Sequence, residues 1–204
     1  MATPQDVIRV EASQVGYVEG SNNANKYGVW YGMNHQPWCD IFQSWAFAQA
    51  GALSAIGGKF ASTPAHAAWF KAKGRFGDTP QVGALVFYDW GGSKAISGID
   101  HIGLVIAVNG STITTIEGNT GVGEVRQRER SATAAVVGYG YPSYDGASTD
   151  PSIPSVDPTG LSVPGLSDIT AALNALANPH FWLRVGCTVL GMGLVSIGIG
   201  RIVL

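Results

Sequence analysis

The chain has 204 residues, a formal net charge of −2 and only 13% charged side chains. That balance lacks the clustered lysine and arginine that neutralise phosphates, so nucleic acid is excluded as a partner. The length allows one medium-sized domain plus an appendage, and 28 glycines with six scattered tryptophans suit a turn-rich α+β domain better than a helical bundle.

Residues 1–9 have neither a basic leader nor an apolar core with a cleavage site, so no signal peptide is read there. Thr3 can cap a helix, Pro4 suits its first position and Asp6 its first turn, which predicts a helix over 4–18 with Ile8, Ala12 and Val15 on its buried face. Residues 19–26 read as a polar, turn-forming loop that offers asparagine carbonyls but no aspartate cluster, a poor calcium site. Tyr27, Trp30, Tyr31 and Trp38 flank that loop. Tyr31 and Trp38 are candidate substrate contacts, with core packing as the alternative for aromatics this dense. His35, four residues before a cysteine, is a candidate residue of the cleft edge.

Pro37 and then Cys39 open a second, amphipathic helix. A thiol in the first helical turn sits near unpaired backbone N–H groups and the positive end of the helix dipole, which favours its thiolate. A lone cysteine among apolar residues is more often a small buried hydrophobe, so the nucleophile assignment depends on partners elsewhere. His66 reads as a residue that caps or lines a helix surface.

Gly83 is a turn residue feeding an apolar strand over 84–88, followed by Trp90, a further candidate substrate contact, and a flexible loop over 91–94. His101 then begins a buried strand that runs to the turn signal Asn109-Gly110, and the returning strand leads into Glu117-Gly118-Asn119. His101 and Glu117 thus fall at the open end of one hairpin. Register decides whether they share a face. A strict two-residue Asn109-Gly110 loop would set His101 opposite Gly118 and turn Glu117 away, so a shared face requires a bulge or an odd-length loop, for example one over 108–110. Given that register, Cys39, His101 and a polar orienting group make the set that nucleophilic cysteine catalysis requires. No two histidines show metal-ligand spacing with a third ligand, so neither a metal nor another cofactor is expected.

Composition shifts near Tyr144. Residues 145–166 are rich in Pro, Ser, Asp and Gly and read as a linker. Residues 167–204 hold a short amphipathic helix ended by Pro179 and then an apolar segment over 181–204. As a helix that segment would reach roughly 36 Å, against about 30 Å of hydrocarbon core, so it can span a membrane if Arg184 and Arg201 snorkel. Burial within a protein assembly is the alternative. Cys187 lies in this run and is not expected to pair with Cys39.

Three blocks taken together, Pro37-Trp38-Cys39-Asp40-Ile41-Phe42-Gln43-Ser44-Trp45, Asp100-His101-Ile102-Gly103-Leu104-Val105 and Ile116-Glu117-Gly118-Asn119, resemble the CHAP family, the cysteine, histidine-dependent amidohydrolases/peptidases. The similarity covers about residues 4–142, and the blocks occur in the expected order. Ala84 departs from the family pattern, in which many relatives carry Asp at this position. The resemblance implies a papain-like (NlpC/P60-like) α+β domain over 1–144, with N-terminal helices and an antiparallel sheet. It further implies cleavage of peptidoglycan amide bonds, with Cys39 as nucleophile, His101 as base, and Glu117 and Asn119 as supporting polar groups. An NlpC/P60-type endopeptidase and a catalytically idle wall-binding tail protein are the alternatives. With no leader and an apolar tail, the expected setting is a phage virion or phage-derived injection particle acting at the bacterial wall. Residues 167–204 would then meet a membrane or tail proteins.

Overall fold

Thr3 starts the first helix, α1 (Pro4–Ala12), through a capping box: its hydroxyl accepts from the Asp6 N–H at 3.3 Å, and its own N–H donates to the Asp6 carboxylate at 2.8 Å. The computed structural model describes residues 2–144. Within them α1 stops well short of residue 18, because the chain turns at Ser13, takes φ +94° at Gly16 and becomes extended where Val18 bridges Glu124. Its buried face is Val7 and Glu11, one turn apart, rather than the face through Ile8, Ala12 and Val15; Val15 is 46% exposed.

Helix α2 (Lys26–Tyr31) is capped by the Asn25 side chain, whose Oδ1 accepts from the Gly28 N–H at 2.6 Å, and ends at left-handed Gly32. Helix α3 (Cys39–Gln49) was expected to be amphipathic, yet residues 39–44, 46 and 47 are all buried. It packs against α1, α2 and the sheet, so it has almost no wet face. Ile41, Phe42 and Phe47 are fully enclosed and each contributes about 1.5–3 kcal/mol of burial. Ser62 caps α4 (Thr63–Ala72).

The strands follow in sequence: β1 (Phe76–Gly77), β2 (Leu85–Tyr88), β3 (His101–Asn109), β4 (Thr112–Thr120), β5 (Glu124–Ser131) and β6 (Val136–Gly140). They form one sheet in the order β1-β6-β2-β3-β4-β5, antiparallel throughout. This is the helices-first α+β arrangement expected of a papain-like domain. Alternation sorts the side chains of β2 and β3 between two faces. Leu85, Phe87, Ile102 and Leu104 join the helix-side core, whereas Val86, Tyr88 and Val105 join a smaller cluster with Ile113 and Tyr139 on the other.

Two buried ionisable features were not legible as such. His66, expected at a helix surface, is fully buried. Its ring stacks on Phe60 at 4.1 Å between centroids, and its Nδ1 lies 2.7 Å from the Asp40 carboxylate. Glu11 is likewise fully buried, beside Gln43, and desolvation pushes its carboxyl well above the usual range, with the Gln43 amide offsetting only part.

The linker expected over 145–166, the helices expected over 167–204 and Cys187 lie outside the described residues. Among the described residues no helix is long and apolar enough to cross a membrane.

His66→Ala leaves the Asp40 carboxylate without its partner in a fully buried setting and is expected to destabilise the domain by about 3–5 kcal/mol in urea unfolding. Glu11 sets a pH dependence of the opposite kind to that of an ion-paired acid. Its folded-state pKa is raised, so stability is greatest below the ordinary carboxyl value of 4.5 and declines as pH rises above it. Glu11→Gln is expected to flatten that decline between pH 5 and 8, read as unfolding midpoint against pH.

Candidate active site

Cys39 opens α3, as the sequence indicates, with Trp38 at the N-cap position and no side chain capping the helix. The thiol is 8% exposed and belongs to the helix-side cluster that includes Ile99 and Ile102 at the start of β3. Its field is not the one expected. Burial raises the thiol to about 12 and the nearby Asp40 charge adds to the rise, outweighing the backbone N–H groups of Asp40 and Cys39 that favour thiolate. The helix N-terminus is thus a minor influence beside desolvation.

His101 is the first residue of β3 and sits on the face away from the helices, with Tyr88 as its partner across β2. Its Nε2 lies 3.0 Å from Glu117 Oε2. A carboxylate can only accept, so the neutral ring carries its proton on Nε2 and keeps Nδ1 as the basic nitrogen. No hydrogen bond joins Nδ1 to the Cys39 sulfur in this structure. The thiol belongs to the helix-side cluster, whereas the imidazole lies on the other face of β3.

The register that brings His101 and Glu117 to one face comes from a bulge, not from the three-residue loop over 108–110. The hairpin closes with Asn109 opposite Thr112, so Gly110 and Ser111 form the turn, and the pairing shifts between Val105 and Ala107. That shift leaves Leu104 opposite Ile116, hence Gly103 opposite Glu117. Without the extra residue Glu117 would point to the helix side. The Glu117 side chain then crosses the backbone of Gly103 to reach His101. A Cβ at 103 would come within 2.8 Å of Glu117 Cγ, so only glycine leaves the path open.

Glu117 is fully buried and its two oxygens are saturated. Oε1 accepts from Thr115 Oγ1 at 2.7 Å and Arg130 Nε at 2.9 Å; Oε2 accepts from Arg130 Nη2 at 2.7 Å as well as from His101. Burial alone would raise this carboxyl. The forked Arg130 bonds, followed by those of His101 and Thr115, reverse the effect and hold it at about 2. Arg130 is the principal residue that sequence reasoning missed. The alternating Arg126, Arg128 and Arg130 of β5 were a signal that one sheet face is cationic, but nothing local ties Arg130 to Glu117.

Asn119 takes a left-handed conformation (φ +55°) where β4 and β5 slip register, and it makes no hydrogen bond to His101. It lines an open cavity of about 410 Å³ with His101, Trp90, Thr120, Gly121, Arg128 and Arg130. Trp90 is half exposed and stacks on Tyr88, 4.9 Å between centroids. The loop over 91–94, expected to be flexible, is wound around Asp89, whose carboxylate accepts from Ser93 Oγ at 2.6 Å and the Lys94 N–H at 2.9 Å.

The other proposed substrate contacts fare differently. Trp38 is fully buried, stacked on Tyr27 with its indole N–H donated to Glu19, and has no surface to offer a ligand. Tyr31 is half-buried, and Lys59 lies over its ring at 5.6 Å. His35 is exposed with both ring nitrogens engaged, Nδ1 to the Asn22 carbonyl at 2.8 Å and Nε2 near the Asn34 amide at 3.4 Å. Among the described residues, no group of three His, Cys, Asp or Glu is placed to hold a metal ion.

Glu117 supplies a pH signature of its own. Its folded-state carboxyl lies below the ordinary value of 4.5, so the stability it provides is present above pH 4.5 and lost as pH falls through about 2. Arg130→Met removes the main cause. The stability gap between wild type and variant in urea unfolding is expected to be widest near neutrality and to close between pH 4.5 and 2.

Comparison with known proteins places this geometry in context. Residues 30–119, which contain Cys39, His101, Glu117 and Asn119, match the family model of the CHAP domain. No curated protein matches the sequence. Solved structures with a similar fold include two of one protein. "The crystal structure of Ly7917" shares 22% identity at a TM-score of 0.44, and "The crystal structure of Ly7917 with the hydrolyzing product of MDP" shares 20% at 0.45. Each alignment covers 69% of this chain and 62% of the other, so the chain spans less than two thirds of their length.

Proposed function

We propose that this chain, whose residues 30–119 are a CHAP domain, hydrolyses an amide bond of peptidoglycan by cysteine nucleophile catalysis. The observation that carries the reading is the fixed tautomer of His101: its Nε2 is tied to a carboxylate that Arg130 holds ionised, which leaves Nδ1 as the ring's basic nitrogen.

In the proposed reaction, substrate entry brings Nδ1 onto the Cys39 sulfur, a contact of the kind that is often long in the free enzyme and tightens in the complex. The buried thiol does not ionise alone at neutral pH. Its proton moves to His101, because the Glu117 carboxylate stabilises the imidazolium that results. The thiolate attacks the amide carbonyl carbon, and the oxyanion is stabilised by the Cys39 backbone N–H, with the Asn119 side chain as a second donor. Collapse expels the amine, which takes the proton from the imidazolium. Water, deprotonated by His101, then cleaves the thioester, releasing a carboxylic acid and restoring the thiol. Trp90 and Tyr31 supply aromatic surface for the glycan or its peptide.

Zymography on cell walls tests the nucleophile. Wild type is expected to clear them and Cys39→Ala not to; equal clearing by both removes Cys39 from the reaction. Glu117→Gln keeps the side chain's shape but loses the charge that stabilises the imidazolium, with an expected fall in kcat of about 10²-fold or more.

Residues 145–166 and 167–204 enter the same proposal as a linker and an anchor for a membrane or a phage-type particle, on the strength of their composition. The full chain is expected to float with liposomes and a truncation ending at residue 150 to sediment. Equal flotation excludes the anchor.

A further inference from the structure

The cavity beside His101 has a charge pattern that the proposed reaction does not use. Of its seven lining residues none is acidic and two are arginines. Arg130 is already committed: both of its hydrogen-bonding contacts go to Glu117, and its guanidinium lies 5.1 Å over the Trp90 ring. Arg128 is not. It lies on the same face of β5, two residues before Arg130, yet among the described residues its Nε is buried without a partner and its sole side-chain bond is a 3.5 Å contact from Nη2 to Thr120 Oγ1. The adjacent Glu129 points to the other face of β5, and on the cavity's side Glu124 is directed to Arg126 and Glu117 to Arg130 and His101. A half-buried guanidinium with an unsatisfied N–H costs free energy unless a ligand completes it.

Gly121 also bears on this residue. It takes φ +62°, and a Cβ there would lie 3.3 Å from Arg128 Nη2, so glycine keeps the wall open around the guanidinium fork. The opposite wall is the exposed Trp90 ring. A volume of about 410 Å³ accommodates a small peptide fragment rather than a single ion.

We propose that Arg128 binds a free carboxylate on the peptide portion of the substrate, making this enzyme selective for acidic over amidated peptides. The planar guanidinium offers two parallel N–H donors to one carboxylate, and Thr120 Oγ1 adds a third donor at the same spot. Trp90 packs against the apolar part of the same peptide segment. This assignment rests on the reading of the domain as a peptidoglycan amide hydrolase, and its test separates the two.

Binding is measured by calorimetry with the full chain carrying Cys39→Ala. The probes are a synthetic muramyl tetrapeptide with free side-chain carboxylates and the same compound with those carboxylates amidated. The acid is expected to bind at least 10-fold more tightly than the amide. Adding Arg128→Gln is expected to abolish that preference and Arg128→Lys to retain part of it, with thermal unfolding confirming that each variant is folded. Equal affinity for acid and amide, no binding of either, or a preference that survives Arg128→Gln overturns the proposal. A preference that depends on Arg128, in a protein whose wild type clears no cell wall, supports the carboxylate site and sinks the hydrolase reading alone.

Discussion

The site is organised by one buried carboxylate. Glu117 has no solvent contact and would be neutral in that position if burial acted alone. Four hydrogen bonds from three side chains reverse this, and the guanidinium fork of Arg130 is the largest of the favourable contributions. Once ionised, the carboxylate fixes the His101 tautomer. The backbone conforms to this arrangement at two places. The shift at Val105–Ala107 turns Glu117 to the correct face, and Gly103 leaves room for its side chain.

The nucleophile sits under a different constraint. Helix α3 is buried on nearly every side, so Cys39 gains a fixed position at the cost of desolvation, and its thiol is far from ionising independently. In the proposed reaction, therefore, a thiolate forms only as half of an ion pair with His101. Behind the thiol, Asp40 is directed into the core, where His66 receives it. Helix α3 is therefore anchored by a buried ionisable pair immediately after Cys39, while the His101 imidazole is anchored by a second such pair across the hairpin.

The cavity, Trp90 and the two arginines lie on the sheet face that carries His101. The proposed recognition residues and the proposed base thus share one side of the sheet, while Cys39 belongs to the helix-side cluster. The two arginines of the cavity have separate parts because their partners differ. Arg130 is saturated by an internal carboxylate, and Arg128 is left with donors to give.

Much of this was legible in local sequence. Thr3-Pro4 with Asp6 predicted the start of α1, Pro37 with Cys39 the start of α3, and the Asn109-Gly110 region a hairpin that brings His101 near Glu117, since caps, prolines and turns act within a few residues. The end of α1, the enclosure of α3 and the burial of Trp38 were not, because each depends on contacts with remote segments such as the bridge from Val18 to Glu124. His66 read as a surface residue for the same reason: its partner Asp40 is 26 positions away. What the sequence by itself determined was the class of fold and the local elements on which the candidate residues Cys39, His101 and Glu117 lie. Only the tertiary structure decided the bulged register, the Arg130 fork that keeps Glu117 ionised and the unpartnered Arg128. Those depend on which strands lie side by side, and a pairing of distant strands leaves no short-range pattern to read.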